Sequence, residues 1–100
     1  MLKKFSDLPD AKVLLQPTRL DVLRHLARCG GKALFGETHL AIDADVSPQA
    51  LSEHTMRLER AGFIERRRFI AGRLPATELI LTDKARQALA DLETTMEVAA

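Results

Sequence analysis

The segment VSPQALSEHTMRLERAGFIERRR, residues 46–68, contains the clearest structural signals in this 100-residue chain. Ser47 followed by Pro48 is a typical helix start, because serine caps a backbone amide and proline suits the first helical position. The apolar residues that follow are spaced for one helix face, and a glycine at their end can close the helix in the left-handed conformation. The eight residues after this glycine are β-biased and alternate in character. The segment therefore predicts a helix, Ser47–Ala61, followed directly by a strand, Phe63–Ile70.

The residues after this strand predict a turn and a returning strand. Ala71–Pro75 contain a glycine and a proline, which favour turns, and Thr77–Leu81 is rich in apolar and β-branched residues. Pro75 is expected just outside the ladder, because proline has no N–H to donate to a neighbouring strand. The two strands together predict a β-hairpin.

Apolar periodicity predicts further helices on either side of this region. Pro17–Arg28 has a proline in its first turn, apolar residues on one face and two glycines after it. A shorter apolar segment before it predicts a helix beginning near Pro9 or Asp10, and Gly36–Ile42 predicts a helix of about two turns. Thr82 can cap a last helix, whose apolar residues recur every three or four positions.

Length and composition are those of one globular domain, residues 1–100. Hydrophobic residues make up 46% and charged residues 29% of the chain, which is ordinary for a folded protein and unlike a disordered one. Apolar runs are no longer than three residues, so we expect no membrane span and no secretory signal, and place the protein in the cytoplasm. Cys29 is the only cysteine, which excludes an intramolecular disulfide and a multi-cysteine zinc site.

The net charge of +1 conceals an uneven distribution of charge along the chain. Residues 57–73 include six arginines and two glutamates, whereas residues 31–56 and 74–100 each have three more acidic than basic side chains. A basic cluster is expected where a protein meets phosphates, although a solvated surface would have the same composition. Charge alone leaves both interpretations open.

Two short helices followed by an arginine-rich hairpin are the element order of a helix-turn-helix with a wing. Three stretches in this order, PTRLDVLRHL (17–26), the segment 46–68 and FIAGRLPATELILT (69–82), resemble the winged helix-turn-helix transcriptional regulators of the MarR and ArsR kind. The similarity is greatest to a small MarR-like group, whose wing pattern is matched by Gly72, Arg73, Pro75, Thr77, Leu81 and Thr82.

The resemblance implies a mainly α fold with a small β-hairpin, that is, an α+β winged helix whose terminal helices form a dimer. It divides the chain into an N-terminal helical segment (1–16), a winged core (17–82) and a C-terminal dimerisation helix (83–100). In such regulators the helix after the turn enters the major groove and the wing contacts the minor groove or the backbone. We therefore expect a homodimeric repressor that reads a palindromic operator in double-stranded DNA.

A helical wheel assigns individual side chains of the helix 47–61 to this task. Leu51, Thr55 and Leu58 point inward, and the opposite face carries glutamine, glutamate and two arginines. Glu53 would read a base, support Arg57 one turn away, or indicate a face that does not meet DNA. The expected DNA contacts are Thr38, Ser47, Gln49, Ser52, Glu53, His54, Arg57, Arg60, Arg68 and Arg73.

Two of these side chains have specific expectations attached to them. Arg73, in the wing turn, is the best placed to extend into the minor groove, whose negative potential attracts guanidinium groups. His54 either donates to a phosphate, as the resemblance implies, or packs against the wing. Sequence reading is expected from Gln49, Ser52, Glu53 and Arg57, and positioning from the other residues.

The last helix carries a heptad-like apolar seam that would be exposed on an isolated domain. We expect this seam to pack on a second copy of the chain, with the alternative that it folds back on its own domain. The expected dimer contacts are Phe5, Leu8, Ala85, Leu89, Leu92 and Met96. A small-molecule effector could act between the winged domain and the terminal helices.

Other classes of function find less support in the sequence. We expect no enzyme and no cofactor, because there is no phosphate-binding glycine loop and no paired-carboxylate motif. His25 and Cys29 are one helical turn apart, and His39 could join them only through tertiary folding, so no metal site is expected. RNA is disfavoured because the four phenylalanines, the only aromatic residues, lie mainly at packing positions. The serious alternative is a winged helix that docks onto proteins without binding DNA.

Overall fold

A computed structural model describes residues 11–99 of the chain, and side chains within residues 12–94. The elements in chain order are α1 (Ala11–Leu14), α2 (Pro17–Arg28), β1 (Lys32–Leu34), α3 (Phe35–Ala41), α4 (Pro48–Arg60), β2 (Ile64–Ala71), β3 (Leu74–Leu81) and α5 (Asp83–Ala99). This is the mixed α+β order of a winged helix, as the sequence predicts.

Side-chain caps account for the boundaries of the longer helices. The Gln16 side chain accepts a hydrogen bond from the Arg19 amide at 2.9 Å and starts α2. Ser47 does the same for the Ala50 amide at 3.0 Å and starts α4. The Thr82 hydroxyl accepts from the Ala85 amide at 3.2 Å and starts α5. The predicted starts of these three helices are confirmed.

The sheet has three antiparallel strands in the order β1-β3-β2. In the hairpin, Ile64 pairs with Leu81 at the base and Ala71 pairs with Leu74 at the tip. β1 lies between the predicted helices Pro17–Arg28 and Gly36–Ile42, where the sequence predicts no strand. It has three residues and pairs with residues 78–80, so its own sequence carries too little alternation to be recognised.

The expectation that Pro75 lies outside the ladder is wrong. The strand β3 begins at Leu74, and Pro75 pairs with Ile70. β1 reaches only residues 78–80, so within residues 11–99 no strand lies beside Pro75 on that side of β3. A residue without an N–H is compatible with such a position. The turn is correspondingly shorter than predicted and consists of Gly72 and Arg73.

The core lies between the helices and the inner face of the sheet. α2 and α4 contribute the fully buried side chains Val22, Leu23, Leu26, Leu51 and Leu58, and the hairpin region contributes Phe63, Ile64, Leu79 and Leu81. Thr55 is also fully buried, and its hydroxyl donates to the Ser52 carbonyl at 2.9 Å. A buried hydroxyl needs such a partner, so an inward threonine is accommodated within its own helix.

The position of α5 contradicts the expectation that its apolar seam faces outward. Ala85 is fully buried and Leu89 is only 8% exposed, and both belong to the core cluster of this chain, against which Leu92 also packs. The first half of the seam therefore folds back on its own domain, because the core between α2 and the sheet needs a cover. Phe5, Leu8 and the side chain of Met96 lie outside the described residues. None of the described helices has the length and apolar character needed to cross a membrane.

Candidate nucleic-acid interface

The outer face of α4 is an exposed polar surface that contains two arginines. Burial of Leu51, Thr55 and Leu58 directs the opposite side of the helix to solvent. Gln49, Glu53, Arg57 and Arg60 are all exposed on that side. The helix thus presents hydrogen-bonding groups along its length, with glutamine in its first turn and arginines near its end.

The first turn of α4 is pinned by its cap. Ser47 is exposed, and its hydroxyl oxygen accepts the Ala50 amide, while its O–H hydrogen can still donate outward. Ser52 is half-buried on the flank of the helix, and its carbonyl is occupied by Thr55. Both residues lie beside the outer face of α4.

The wing is the hairpin of β2 and β3 with Arg73 in its turn. Gly72 has a φ of +66°, a conformation that side chains with a Cβ adopt at a cost, and this geometry allows the two-residue turn. Arg73 is exposed at this tip. The tip therefore places a guanidinium group where no neighbouring element covers it.

The three consecutive arginines of β2 have different surroundings, as the alternation of side chains predicts. Arg67 pairs with Glu78 across the hairpin at 3.3 Å. Arg66 is half-buried on the inner face. Arg68, on the same face as Arg66, is exposed and lines an open groove of about 750 Å³ between β3 and the first residues of α3. Of the three arginines of β2, Arg68 therefore has a guanidinium group directed toward an open surface, whereas Arg67 is paired with Glu78.

The end of α4 is tied to the wing by a backbone contact. The Glu59 carboxylate accepts the Arg66 amide at 2.9 Å, and the Lys84 ammonium donates to the Ala61 carbonyl at 2.5 Å while lying 4.9 Å from the centre of the Phe63 ring. These contacts fix the position of α4 relative to the base of the hairpin. The end of α4 and the base of the wing are therefore held next to each other.

The structure contradicts the expectation that Thr38 contacts DNA. It is fully buried, and its hydroxyl donates to the Leu34 carbonyl at 3.0 Å. The residue lies on the inward side of α3, whose bounds the sequence pattern places one residue too late at each end. A side chain without solvent exposure cannot reach a phosphate, and this removes Thr38 from the candidate surface.

Arg19, in the first turns of α2, is a residue of this surface that the sequence does not predict. Its Nε donates to Nδ1 of His54 at 3.1 Å, and its Nη1 donates to the Val13 carbonyl at 3.1 Å. His54 therefore contacts α2. The contact joins residues 35 positions apart. The available sequence signal is an arginine at the edge of an apolar face, which is too common to identify its partner.

The charges around His54 favour its neutral form. Burial, followed by the charges of Arg19 and Arg57, holds the pKa of His54 below its usual value, and the Glu53 carboxylate opposes the shift in part. Burial, and then the charge of Arg57, also lowers the pKa of Arg19. Both shifts are in the direction that the positive charge of Arg57 favours, and Arg57 lies one turn after His54 on α4.

The cysteine and the other two histidines are apart from this surface. Cys29 Sγ lies 3.6 Å from Nε2 of His25, as their helical spacing predicts. His39 instead donates from Nε2 to the Val46 carbonyl at 2.7 Å. Within the described part of the chain, no three His, Cys, Asp or Glu side chains come together as a metal site would require.

Comparisons with known proteins confirm the winged-helix resemblance. A transcriptional regulator homologue from Pyrococcus horikoshii OT3 is 28% identical, with a TM-score of 0.70 over 88% of each chain. A structure from Enterococcus faecalis V583, described as a transcriptional regulator of the MarR family, is 19% identical, with a TM-score of 0.76 over 88% of this chain and 76% of that one. No protein-family model matches the sequence, and comparison with curated proteins gave no significant match. The chain therefore has the same winged-helix fold as these two proteins.

Proposed function

We propose that this chain is a sequence-specific, double-stranded DNA-binding transcriptional regulator that inserts α4 into the major groove. The observation that supports the proposal is the exposure of arginines both on the outer face of α4 and on the wing, two elements that the Glu59–Arg66 contact joins. The two solved structures of the same fold are both described as transcriptional regulators and neither as an enzyme, which agrees with the expectation that the chain has no catalytic activity.

Base reading is assigned to the outer face of α4. Gln49 lies in the first turn, the part of a recognition helix that reaches base edges, and a glutamine can pair with adenine through two hydrogen bonds. Glu53 can accept from cytosine, and Arg57 can pair with guanine. Ser52, on the flank, tolerates several bases. These four residues would determine the sequence that is bound.

Positioning is assigned to the wing and to the remaining polar residues. Arg73 at the wing tip would enter the minor groove or contact its backbone, since guanidinium groups are attracted to the negative potential there. Arg60 at the end of α4, Arg68 on the inner face of the wing and the Ser47 hydroxyl would contact phosphates. Such contacts supply affinity and register, without sequence information.

We further propose that the protein acts as a homodimeric repressor on an imperfect palindrome. A net charge of +1 gives a single domain few phosphate contacts, so two linked copies would be needed for useful affinity. Two-fold symmetry places the α4 helices about 34 Å apart, one turn of DNA. Since Ala85 and Leu89 are used in the core, the contacts between copies would fall to Leu92 and to Phe5, Leu8 and Met96. A small-molecule effector that changes the spacing of the two copies stays a prediction.

The test is selection of bound duplexes from a random pool with the purified full chain. A recurring half-site, repeated at a spacing of about one helical turn, supports the proposal. Recovery of no enriched sequence, with no binding to duplex DNA at low salt, would overturn it in favour of the protein-docking alternative.

The salt dependence of the affinity for the selected duplex then tests whether the wing contacts DNA. Arg73→Gln should weaken binding of all duplexes alike and make the logarithm of affinity fall less steeply with the logarithm of salt, by about 0.9 for each phosphate that the variant no longer neutralises. The matched control is Arg28→Gln, which removes the same charge from an exposed position at the far end of α2. Equal slopes for the two variants would remove Arg73 from the interface.

A further inference from the structure

Three nitrogen-bearing side chains from two helices converge at the edge of α4 that faces α2. Arg19 comes from the first turns of α2, and His54 and Arg57 lie one turn apart on α4. The direct contact is the 3.1 Å hydrogen bond from Arg19 Nε to His54 Nδ1. Arg19 is held a second time by its 3.1 Å hydrogen bond to the Val13 carbonyl. The convergence is therefore built into the packing of α2 on α4.

The positive charges of this cluster are balanced only in part by a neighbouring carboxylate. Arg57 lowers the pKa of both Arg19 and His54, and Glu53 is the acidic group that acts in the opposite direction on His54. Within residues 12–94, no carboxylate forms an ion pair with Arg19, His54 or Arg57. Arg19 is held against His54, and Arg57 follows one turn later on the same helix, so two guanidinium groups flank the imidazole. Guanidinium groups on one edge repel each other, and an anion bound beside them would relieve that repulsion.

The hydrogen-bonding state of His54 makes it a donor toward the same anion. Because Nδ1 accepts from Arg19, the ring proton of the neutral imidazole must sit on Nε2. Nε2 is then an N–H donor on a half-buried side chain. Arg19 uses one nitrogen for His54 and one for Val13, which leaves its other N–H groups to donate. Arg19, His54 and Arg57 thus offer N–H donors and no acceptor. A phosphate fits such a site, because its oxygens accept hydrogen bonds.

The position of the cluster relates it to the proposed function, on which this inference rests. One edge of α4 faces the wing, where Glu59 contacts β2, and the other edge faces α2, where His54 and Arg57 lie. A helix in the major groove has a sugar-phosphate backbone on each side. The wing accounts for one side, and the Arg19 cluster lies on the other.

We propose that Arg19, His54 and Arg57 form one phosphate-binding site at the crossing of α2 and α4, which holds the DNA backbone on the side of the major groove opposite the wing. In this site Arg57 and Arg19 are direct ligands of the phosphate, and this contact replaces the guanine contact assigned to Arg57 above. His54 donates from Nε2 as a neutral group. Arg19 is also a positioning residue, because its hydrogen bond selects the tautomer of His54.

The experiment compares duplex binding by the full chain over a range of salt concentrations. Arg19→Gln is expected to weaken binding about tenfold or more at low salt, because a charged hydrogen bond is removed, and to lower the salt slope by about 0.9. Arg19→Lys, which retains the charge, should retain the slope. Arg28→Gln on the same helix is the control. A purely structural role of Arg19 would reduce affinity at every salt concentration and leave the slope unchanged, and that result would overturn the proposal.

A second measurement requires no DNA and separates this inference from the proposed function. Titration of the protein with inorganic phosphate, followed by NMR of the histidine rings, should shift the Nε2 resonance of His54 and leave that of His39 in place, since His39 Nε2 is occupied by Val46. The shift should be lost in Arg57→Gln. If the wild type binds no duplex but His54 still responds to phosphate, the anion site stands and the regulator assignment fails. If the wild type binds its duplex and His54 does not respond, the site is refuted while the regulator assignment stands.

Discussion

Leu89→Ala tests whether α5 serves the core of its own chain or a second copy. The Leu89 side chain is 8% exposed and packs in the core cluster beside Ala85 and Ala88. Leucine-to-alanine changes in cores reduce the free energy of unfolding by about 2–5 kcal/mol, through lost transfer energy and the cavity left behind. Because the small neighbours on α5 cannot fill that cavity and the site is close to the surface, we expect about 3 kcal/mol.

This loss is large compared with the stability of such a domain. A 100-residue protein unfolds with roughly 5–15 kcal/mol, so the variant would retain only part of its stability. At about 4–8 °C per kcal/mol for a domain of this size, the melting temperature should fall by about 12–24 °C. Urea unfolding followed by circular dichroism measures the change directly, and this probe is needed because the chain contains neither Trp nor Tyr.

The control and the dependence on protein concentration decide the interpretation. Leu40→Ala removes the same atoms from a side chain that is 85% exposed, and should change stability by less than about 0.5 kcal/mol. A core role predicts that the cost of Leu89→Ala is the same at protein concentrations differing by roughly tenfold. A cost below about 1 kcal/mol, together with a wild-type midpoint that rises with concentration while that of the variant does not, would show that Leu89 lies between subunits.

Three further predictions concern the wing, the reading helix and pH. Gly72→Ala should destabilise the fold by about 1–2 kcal/mol, because Gly72 has a positive φ. Gly36→Ala should stabilise α3 by about 0.5–1 kcal/mol, because there is open space around its Cβ. Urea midpoints measure both changes, and two stability changes of the same sign would contradict the turn geometry. Gln49→Ala should reduce preference at one base step by about 1–3 kcal/mol in competition binding, and unchanged selectivity would exclude it as a reader. The folded-state pKa of His54 is depressed, chiefly by burial, so the unfolded chain binds more protons below about pH 6.5. Stability should therefore decrease as the pH falls from about 6.5 through the folded pKa; His54→Gln should lack this component in urea midpoints, and an identical pH profile in the variant would refute the assignment.

The parts of the fold that the sequence predicts correctly are those determined by local chemistry. The bounds of α2 follow from a proline at its start and glycines after it, and α4 follows from the Ser47 cap and the glycine at its end. These signals act within a few residues, so no knowledge of the tertiary structure is needed to recognise them. The outward face of α4 follows from the same periodicity, and for this reason most of its candidate contacts are exposed as expected.

The errors arise where a distant part of the chain decides the outcome. Pro75 joins the ladder because β1 is too short to reach it, and β1 itself exists only as a partner of β3. Thr38 is buried because α3 turns that side toward the core. Leu89 fits a coiled-coil seam by spacing, yet it packs in the core of its own domain. Arg19 acquires its role through a histidine far along the chain. Each of these four outcomes depends on a contact between distant parts of the chain, which the periodicity of the sequence does not predict.

The same long-range contacts determine how α4 can move. On one edge, the Glu59 carboxylate holds the Arg66 amide of β2, and on the other edge Arg19 holds His54. The helix is also fixed through its buried leucines, so rotating it alone would break contacts on three sides. We therefore expect α4, α2 and the wing to move as one body. A signal that changes DNA binding would then act on the distance between two such bodies, and not on the orientation of α4 within one.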